Sequence, residues 1–393
     1  MRSKNSNNNW PQYTNKEIKT VINIIKSGKV NFWTGNECTL FEKEFSEYFN
    51  LKYTATVANG SLALDLALQS LNLKENDEII VTPRSYIASV SCVINSKCKP
   101  VFIDLDINSH NLDPKLIENK INKKTKAIIC VHLAGFPCDL KNLQIISKKY
   151  NIFLIEDCSQ AHGAKFSNKY VGSFGDIATW SFCNDKIIST LGEGGMIATK
   201  HAHLYKKILY LRDCGKNINK IKNLTNDIGY KYVHDFIGTN MRMTEIQASV
   251  GRIQLNQLSK FLTIRQKNAK IIWDGLKNIP GIETPIIPHN ILHACYRCLI
   301  LIDKKSLKKG WNRNKIIKEL KRKDIICSVG ACPEIYLEKY FKLNYTFYLN
   351  RLKNAKYIGE TSIAFDVNHL LKVNYFKNLC KIFKIIMLKA TVN

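Results

Sequence analysis

The stretch SFCNDKIISTLGEGGMIAT, Ser181–Thr199, sets one lysine between two apolar runs and follows it with glycines at 192, 194 and 195. "DIATWSFC" before Lys186 and "GGMIAT" after it both read as buried strands, being short, apolar and continuous. Lys186 therefore belongs near a core, although most lysines in so lysine-rich a chain lie on the surface. A lysine taken out of water loses its charge readily and becomes a nucleophilic amine. The glycines let the backbone turn sharply and approach a neighbour closely.

Working outward, the same kind of strand recurs, alternating with helical patterns. "YTATVANG" leads into the helix "SLALDLALQSL", and "DEIIVTP" into the helical "YIASVSCVINS". "PVFIDLD", "KAIICVHL" and "IFLIEDC" follow, with the helix "DLKNLQIISKKY" before the last. Continuous apolar strands separated by helices predict a three-layer α/β/α domain around a mostly parallel sheet. The character changes near Thr244, which with Gln247 fits a capping box. A long helix is predicted from there to the breaker pair Pro280-Gly281. The strand "CYRCLILID" and helix "RNKIIKELKRK" beyond it predict a smaller C-terminal α/β domain. The expected division is 1–245 for the large domain and 246–393 for the connecting helix and small domain.

Composition narrows the class. The 393 residues are 45% hydrophobic, enough for a sizeable core. The net charge of +27 invites a nucleic-acid reading, but the excess is mostly lysine and is spread along the chain, so no nucleic-acid partner is expected. Thirteen cysteines scattered in apolar stretches, after a polar N-terminus without a secretory leader, read as free thiols in the cytoplasm. Cys295 and Cys298 form a C-x-x-C, yet Cys327 and Cys332 lie too far off for a usual zinc site, and no metal is expected. No apolar run is long enough to cross a membrane, and the amphipathic C-terminus "NLCKIFKIIMLKA" reads as a helix docked on its own domain.

Four features of the large domain carry chemistry. Gly60 and Ser61 stand where a strand gives way to a helix, which is either a plain serine cap or a phosphate site. Asp157 closes the strand "IFLIEDC" at the end where open α/β sheets bind ligands, with Gln160 three residues on. Buried there, the carboxylate calls for a cationic partner, and it is either a ligand-facing acid or a core acid satisfied by a nearby arginine or helix end. Glu156 points to the other side of the strand and receives no role. Tyr86 follows another strand end and either stacks on a flat ring or closes the core. Lys186 is the fourth. Pyridoxal phosphate needs all four: a helix start for its phosphate, a carboxylate for its ring nitrogen, an aromatic face and a lysine imine.

The motifs "ANGSLALDLAL", "VTPRSYIAS", "EDCSQAHGA", "GSFGDIATWSFCNDKIISTLGEGGM", "LRDCGKN" and "GTNMRMTEIQASVGRIQLNQL" together resemble the DegT/StrS sugar aminotransferases of the aspartate-aminotransferase fold, fold type I. The resemblance implies that Lys186 is the Schiff-base lysine, Asp157 the acid facing the pyridine nitrogen and Gln160 the amide near the ring hydroxyl. It makes Gly60, Ser61 and Ser181 phosphate contacts and Tyr86 the stacked aromatic. Asn240 matches an asparagine that reaches the neighbouring subunit's phosphate, which implies a homodimer with shared sites. The implied reaction moves an amino group from L-glutamate to a nucleotide-linked keto-deoxysugar. Relatives with histidine in place of this lysine dehydrate sugars instead, and the presence of Lys186 favours transamination. A pyridoxal-phosphate-binding regulatory protein and a sugar dehydratase are the alternatives. Two positions depart from the family pattern: Cys214 stands where histidine is common, and Leu191 where glycine is common.

Overall fold

The structure is a computed structural model that describes residues 10–222, 230–346 and 349–392. The polar start of the chain, residues 1–9, lies outside the described residues. The strands are β1 (Tyr53–Val57), β2 (Glu78–Val81), β3 (Lys99–Phe102), β4 (Thr125–Val131), β5 (Phe153–Asp157), β6 (Lys165–Phe166), β7 (Lys169–Tyr170), β8 (Ile177–Ser181), β9 (Gly195–Thr199), β10 (Ile282–Glu283), β11 (Ile291–Leu292), β12 (Cys298–Ile302), β13 (Cys327–Ser328) and β14 (Ser362–Phe365).

Seven of them form one sheet in the order β1-β9-β8-β5-β4-β2-β3. The pairs β8–β5, β5–β4, β4–β2 and β2–β3 are parallel, and β9 runs antiparallel to both of its neighbours. The mostly parallel sheet is thus present, with one reversed strand. Period-two alternation feeds two cores, one on each face. Ile80, Ile128, Leu154 and Trp180 enter one cluster, and Ile79, Ala127, Ile129, Ile155 and Ile177 the other. Both faces are covered, which is why these strands read as unbroken apolar runs.

The helix Glu245–Leu276 starts at a capping box, as expected: Thr244 accepts from the Gln247 backbone and Gln247 answers back. Leu255, Leu258, Phe261 and Leu262 bury into the first core, while Ala269, Ile272 and Leu276 reach a third. That third core lies under the antiparallel sheet β10-β12-β14-β13. The helix Val373–Ala390 docks there through Phe376, Leu379, Phe383 and Met387. No helix among the described residues is long and apolar enough to cross a membrane.

One expectation needs correction. The strand predicted from Cys295 begins only at Cys298, because Cys295 takes a left-handed φ of 51° that a strand cannot continue through. Both thiols are nevertheless buried, and all thirteen cysteines are free.

Candidate active site

Two strand ends and a helix start converge on one place. Asp157 is the last residue of β5 and Ser181 the last of β8, with Asp157 in register with Thr179. The helix Gly60–Gln69 begins beside them. Asn59 caps it, its side chain accepting from Leu62 N at 2.9 Å, while its carbonyl takes Ala63 N. Of the first four N–H groups, which no helix satisfies internally, those of Gly60 and Ser61 remain without a protein acceptor among the described residues. A Cβ at Gly60 would come within 2.6 Å of Ser181 Cβ, so only bare backbone lets Ser181 reach this helix start.

The glycines after Lys186 serve the same approach. A Cβ at Gly195 would stand 2.6 Å from the Asn59 carbonyl, and one at Gly194 would stand 2.0 Å from Thr190 Oγ1. Gly192 has φ 109°, a conformation closed to other residues. Leu191 just before it is also left-handed at φ 61°, where glycine would be at ease. The other departure, Cys214, is likewise left-handed, and its carbonyl accepts from His234 Nδ1 at 2.9 Å.

Asp157 is 4% exposed. Its Oδ2 accepts from Ser89 Oγ at 2.8 Å and its Oδ1 from Ser159 N at 3.1 Å. These donors are neutral. The cationic partner expected from the sequence is not supplied by the described residues, and a ligand that brings a charged N–H fits this carboxylate. Gln160 is fixed by accepting from Ala134 N at 2.7 Å. Glu156, given no role in the chemistry, is a fully buried tie: it accepts from the backbone of Gly172, Phe174 and Gly175 and meets His132 Nε2 at 3.1 Å.

Lys186 lines a cavity of about 560 Å³ with Gln160, Tyr86, Asp185, Tyr296 and Arg84. Its Nζ lies 3.2 Å from Asp185 Oδ1 and 3.5 Å from the Tyr296 hydroxyl, which in turn donates to Asp185. Trp10 pins the Lys186 carbonyl through Nε1 at 2.7 Å. Burial alone acts on this lysine as the sequence leads one to expect, but its neighbours act against it. Burial pulls its pKa down, but attraction to Tyr296 and Asp185 outweighs that, and the net shift is upward. Tyr86 is 67% exposed at the cavity, so it does not close a core.

Asn240 does not line this cavity. It is exposed, and its Oδ1 accepts from Arg242 N at 3.2 Å. In the segment that leads up to it Ile237 is 96% exposed, with Tyr230 and Tyr232 also largely bare.

Neither Asp185 nor Tyr296 is marked by a motif in the sequence. Asp185 adjoins Lys186 and could have been weighed. Tyr296 was hidden in a segment read as a strand.

An open α/β sheet with a lysine, a carboxylate and a bare helix start at its strand ends defines the type I fold of pyridoxal-phosphate enzymes. Residues 11–384 match the DegT/DnrJ/EryC1/StrS aminotransferase family, and the chain belongs to it. GDP-perosamine synthase of Escherichia coli O157:H7 is 35% identical over 84% of this chain and 87% of its own. An aminotransferase from Psychrobacter cryohalolentis superposes with a TM-score of 0.93 at 39% identity, covering 97% of this chain and 98% of its own. The E. coli GDP-4-keto-6-deoxy-D-mannose-3-dehydratase, solved with bound hydrated pyridoxal phosphate, gives a TM-score of 0.85 at 26% identity, over 95% and 99%.

Proposed function

We propose that this chain is a pyridoxal-phosphate-dependent aminotransferase that moves an amino group from L-glutamate to a nucleotide-linked keto-deoxysugar. The observation that carries the reading is Lys186 Nζ in a cavity with Gln160, while a buried carboxylate without a cation stands at the neighbouring strand end. The relatives' names supply the substrate class: one makes GDP-perosamine, and another is a dTDP-3-amino-3,6-dideoxy-alpha-D-galactopyranose transaminase.

When bound, pyridoxal phosphate supplies a carbonyl that condenses with amines and a cationic ring that accepts electrons. Gly60 and Ser61 N–H and Ser181 would hold its phosphate, Asp157 its ring nitrogen, Gln160 its ring hydroxyl and Tyr86 its face. Ser89 and Ser159 orient the Asp157 carboxylate for that contact. Lys186 Nζ moves a proton to and from the substrate carbon that carries nitrogen, as general base and acid. Asp185 and Tyr296 hold that amine in place, and the Asp185 carboxylate balances its charge when it carries the proton. The free thiols suit a reducing compartment, and we place the protein in the cytoplasm.

Addition of L-glutamate to the purified holoprotein is expected to bleach its visible absorbance, and a matching nucleotide-linked keto-sugar to restore it. A spectrum that ignores glutamate and every other amino donor would remove the transaminase reading.

The second half of the reading is a homodimer with shared sites. Ser61 is exposed, and the bare Tyr230, Tyr232 and Ile237 in the segment before Asn240 suit a covered surface. An amide donor to a partner's phosphate is a charge-assisted bond, so Asn240→Ala is expected to loosen cofactor retention by roughly one to two orders of magnitude. Mixing Lys186→Ala chains with Asn240→Ala chains then places both lesions in one site and frees the other, so activity partly returns. Mixed dimers that stay dead would mean that Asn240 serves its own chain.

A further inference from the structure

One wall of the Lys186 cavity has no part in the chemistry above. Arg84, in the turn after β2, is only 1% exposed. Its Nη2 donates to Ser362 Oγ at 3.0 Å, which ties the large sheet to β14. Its Nε and Nη1 are buried without a hydrogen-bond partner among the described residues. Burial pulls its pKa down to about 10, Arg313 adds repulsion, and among the described residues no carboxylate pairs with it. His110, close enough for Arg84 to oppose its protonation, is also buried with Nδ1 unpartnered. Arg297 on the same cavity differs: it already pairs with Asp366 at 3.0 Å.

A buried guanidinium cannot escape its desolvation cost by losing a proton at ordinary pH, so an anion that joins it offsets that cost. Its planar fork matches a carboxylate best. We propose that Arg84 is the receptor for a ligand carboxylate in this cavity, and that the carboxylate belongs to the amino donor. The assignment rests on the transaminase reading. A neutral sugar brings hydroxyls and leaves the cation unpaired, whereas a dicarboxylic amino acid brings two anions within reach of Lys186. A nucleotide-linked sugar acid is the other source of the same chemistry.

The test is calorimetric titration of the holoenzyme with glutarate, a dicarboxylate that has no amine to react. Arg84→Met is expected to weaken glutarate binding by roughly tenfold to a hundredfold, with Arg84→Lys between it and wild type. The melting temperature of unliganded Arg84→Met is expected to hold or rise, since an unpaired buried charge is gone. A fall in melting temperature with unchanged glutarate affinity would make Arg84 a structural tie to Ser362 and overturn the proposal. Titration with UDP-glucuronate separates the sources: a variant defective for it but normal for glutarate overturns the donor assignment. Should Arg84→Met not fold, Arg84→Lys and Arg84→Gln carry the same titrations. Wild-type protein that answers glutamate spectroscopically, beside an Arg84→Lys and Arg84→Gln pair with wild-type glutarate affinity, sinks this proposal alone. Wild-type protein that ignores glutamate sinks the transaminase reading instead.

Discussion

Lys186→Ala is expected to retain the cofactor through dialysis yet transfer no amino group at a measurable rate. Gly60, Ser61 and Ser181, proposed to hold the phosphate, and Asp157, proposed to face the ring, lie on other elements, so the change leaves them in place. What disappears is the amine held between Asp185 and Tyr296. Proton transfer by a positioned side chain contributes about 10² to 10⁴ in rate, and the same amine also acts as a nucleophile, so a fall of at least about a thousandfold is expected. The measurement is single-turnover absorbance with L-glutamate, beside cofactor content after dialysis. Wild-type turnover by the alanine chain would show that Lys186 is an ordinary buried lysine.

Asp157→Asn is expected to lose at least about a hundredfold in the same half-reaction while melting close to wild type. The amide is nearly isosteric and can still accept from Ser89, but it cannot keep a ring nitrogen protonated. Glu156 is the control because it adjoins Asp157 on the same strand and faces the opposite way. It holds three backbone N–H groups and His132, so Glu156→Gln is expected to cost stability and leave the chemistry near wild type. Less than a few-fold loss in Asp157→Asn, with a large catalytic loss in Glu156→Gln, would exchange the two roles.

Several parts of this site were legible in the chain itself, each for a local reason. Apolar runs bounded by turns gave the strands β1, β2, β4, β5, β8 and β9, because burial on both faces leaves no room for polar alternation. Strand ends in such a sheet are where ligands bind, so Asp157, Gly60 and Ser61 are marked by the sequence itself. The capping box at Thr244 and Gln247 is a contact over one helical turn, and it formed as read.

Other parts depend on which distant segments meet. Tyr296 reaches Lys186 across 110 positions, and Arg84 meets Ser362 across 278. No periodicity encodes such pairings, because they follow from the order of strands in the sheets and from how β12 and β14 pack against the large domain. The charge of Lys186 is settled in the same way. Burial is visible in sequence, but the sign of a buried lysine's shift depends on whether attraction from its neighbours exceeds desolvation, and here Tyr296 and Asp185 tip it upward. The chain's local pattern determined the sheet and the reactive residue types at its edge. The tertiary structure decided which of them are paired and which, like Arg84, are left without an acidic partner among the described residues, because electrostatic partnership is settled by distances that only the folded chain creates.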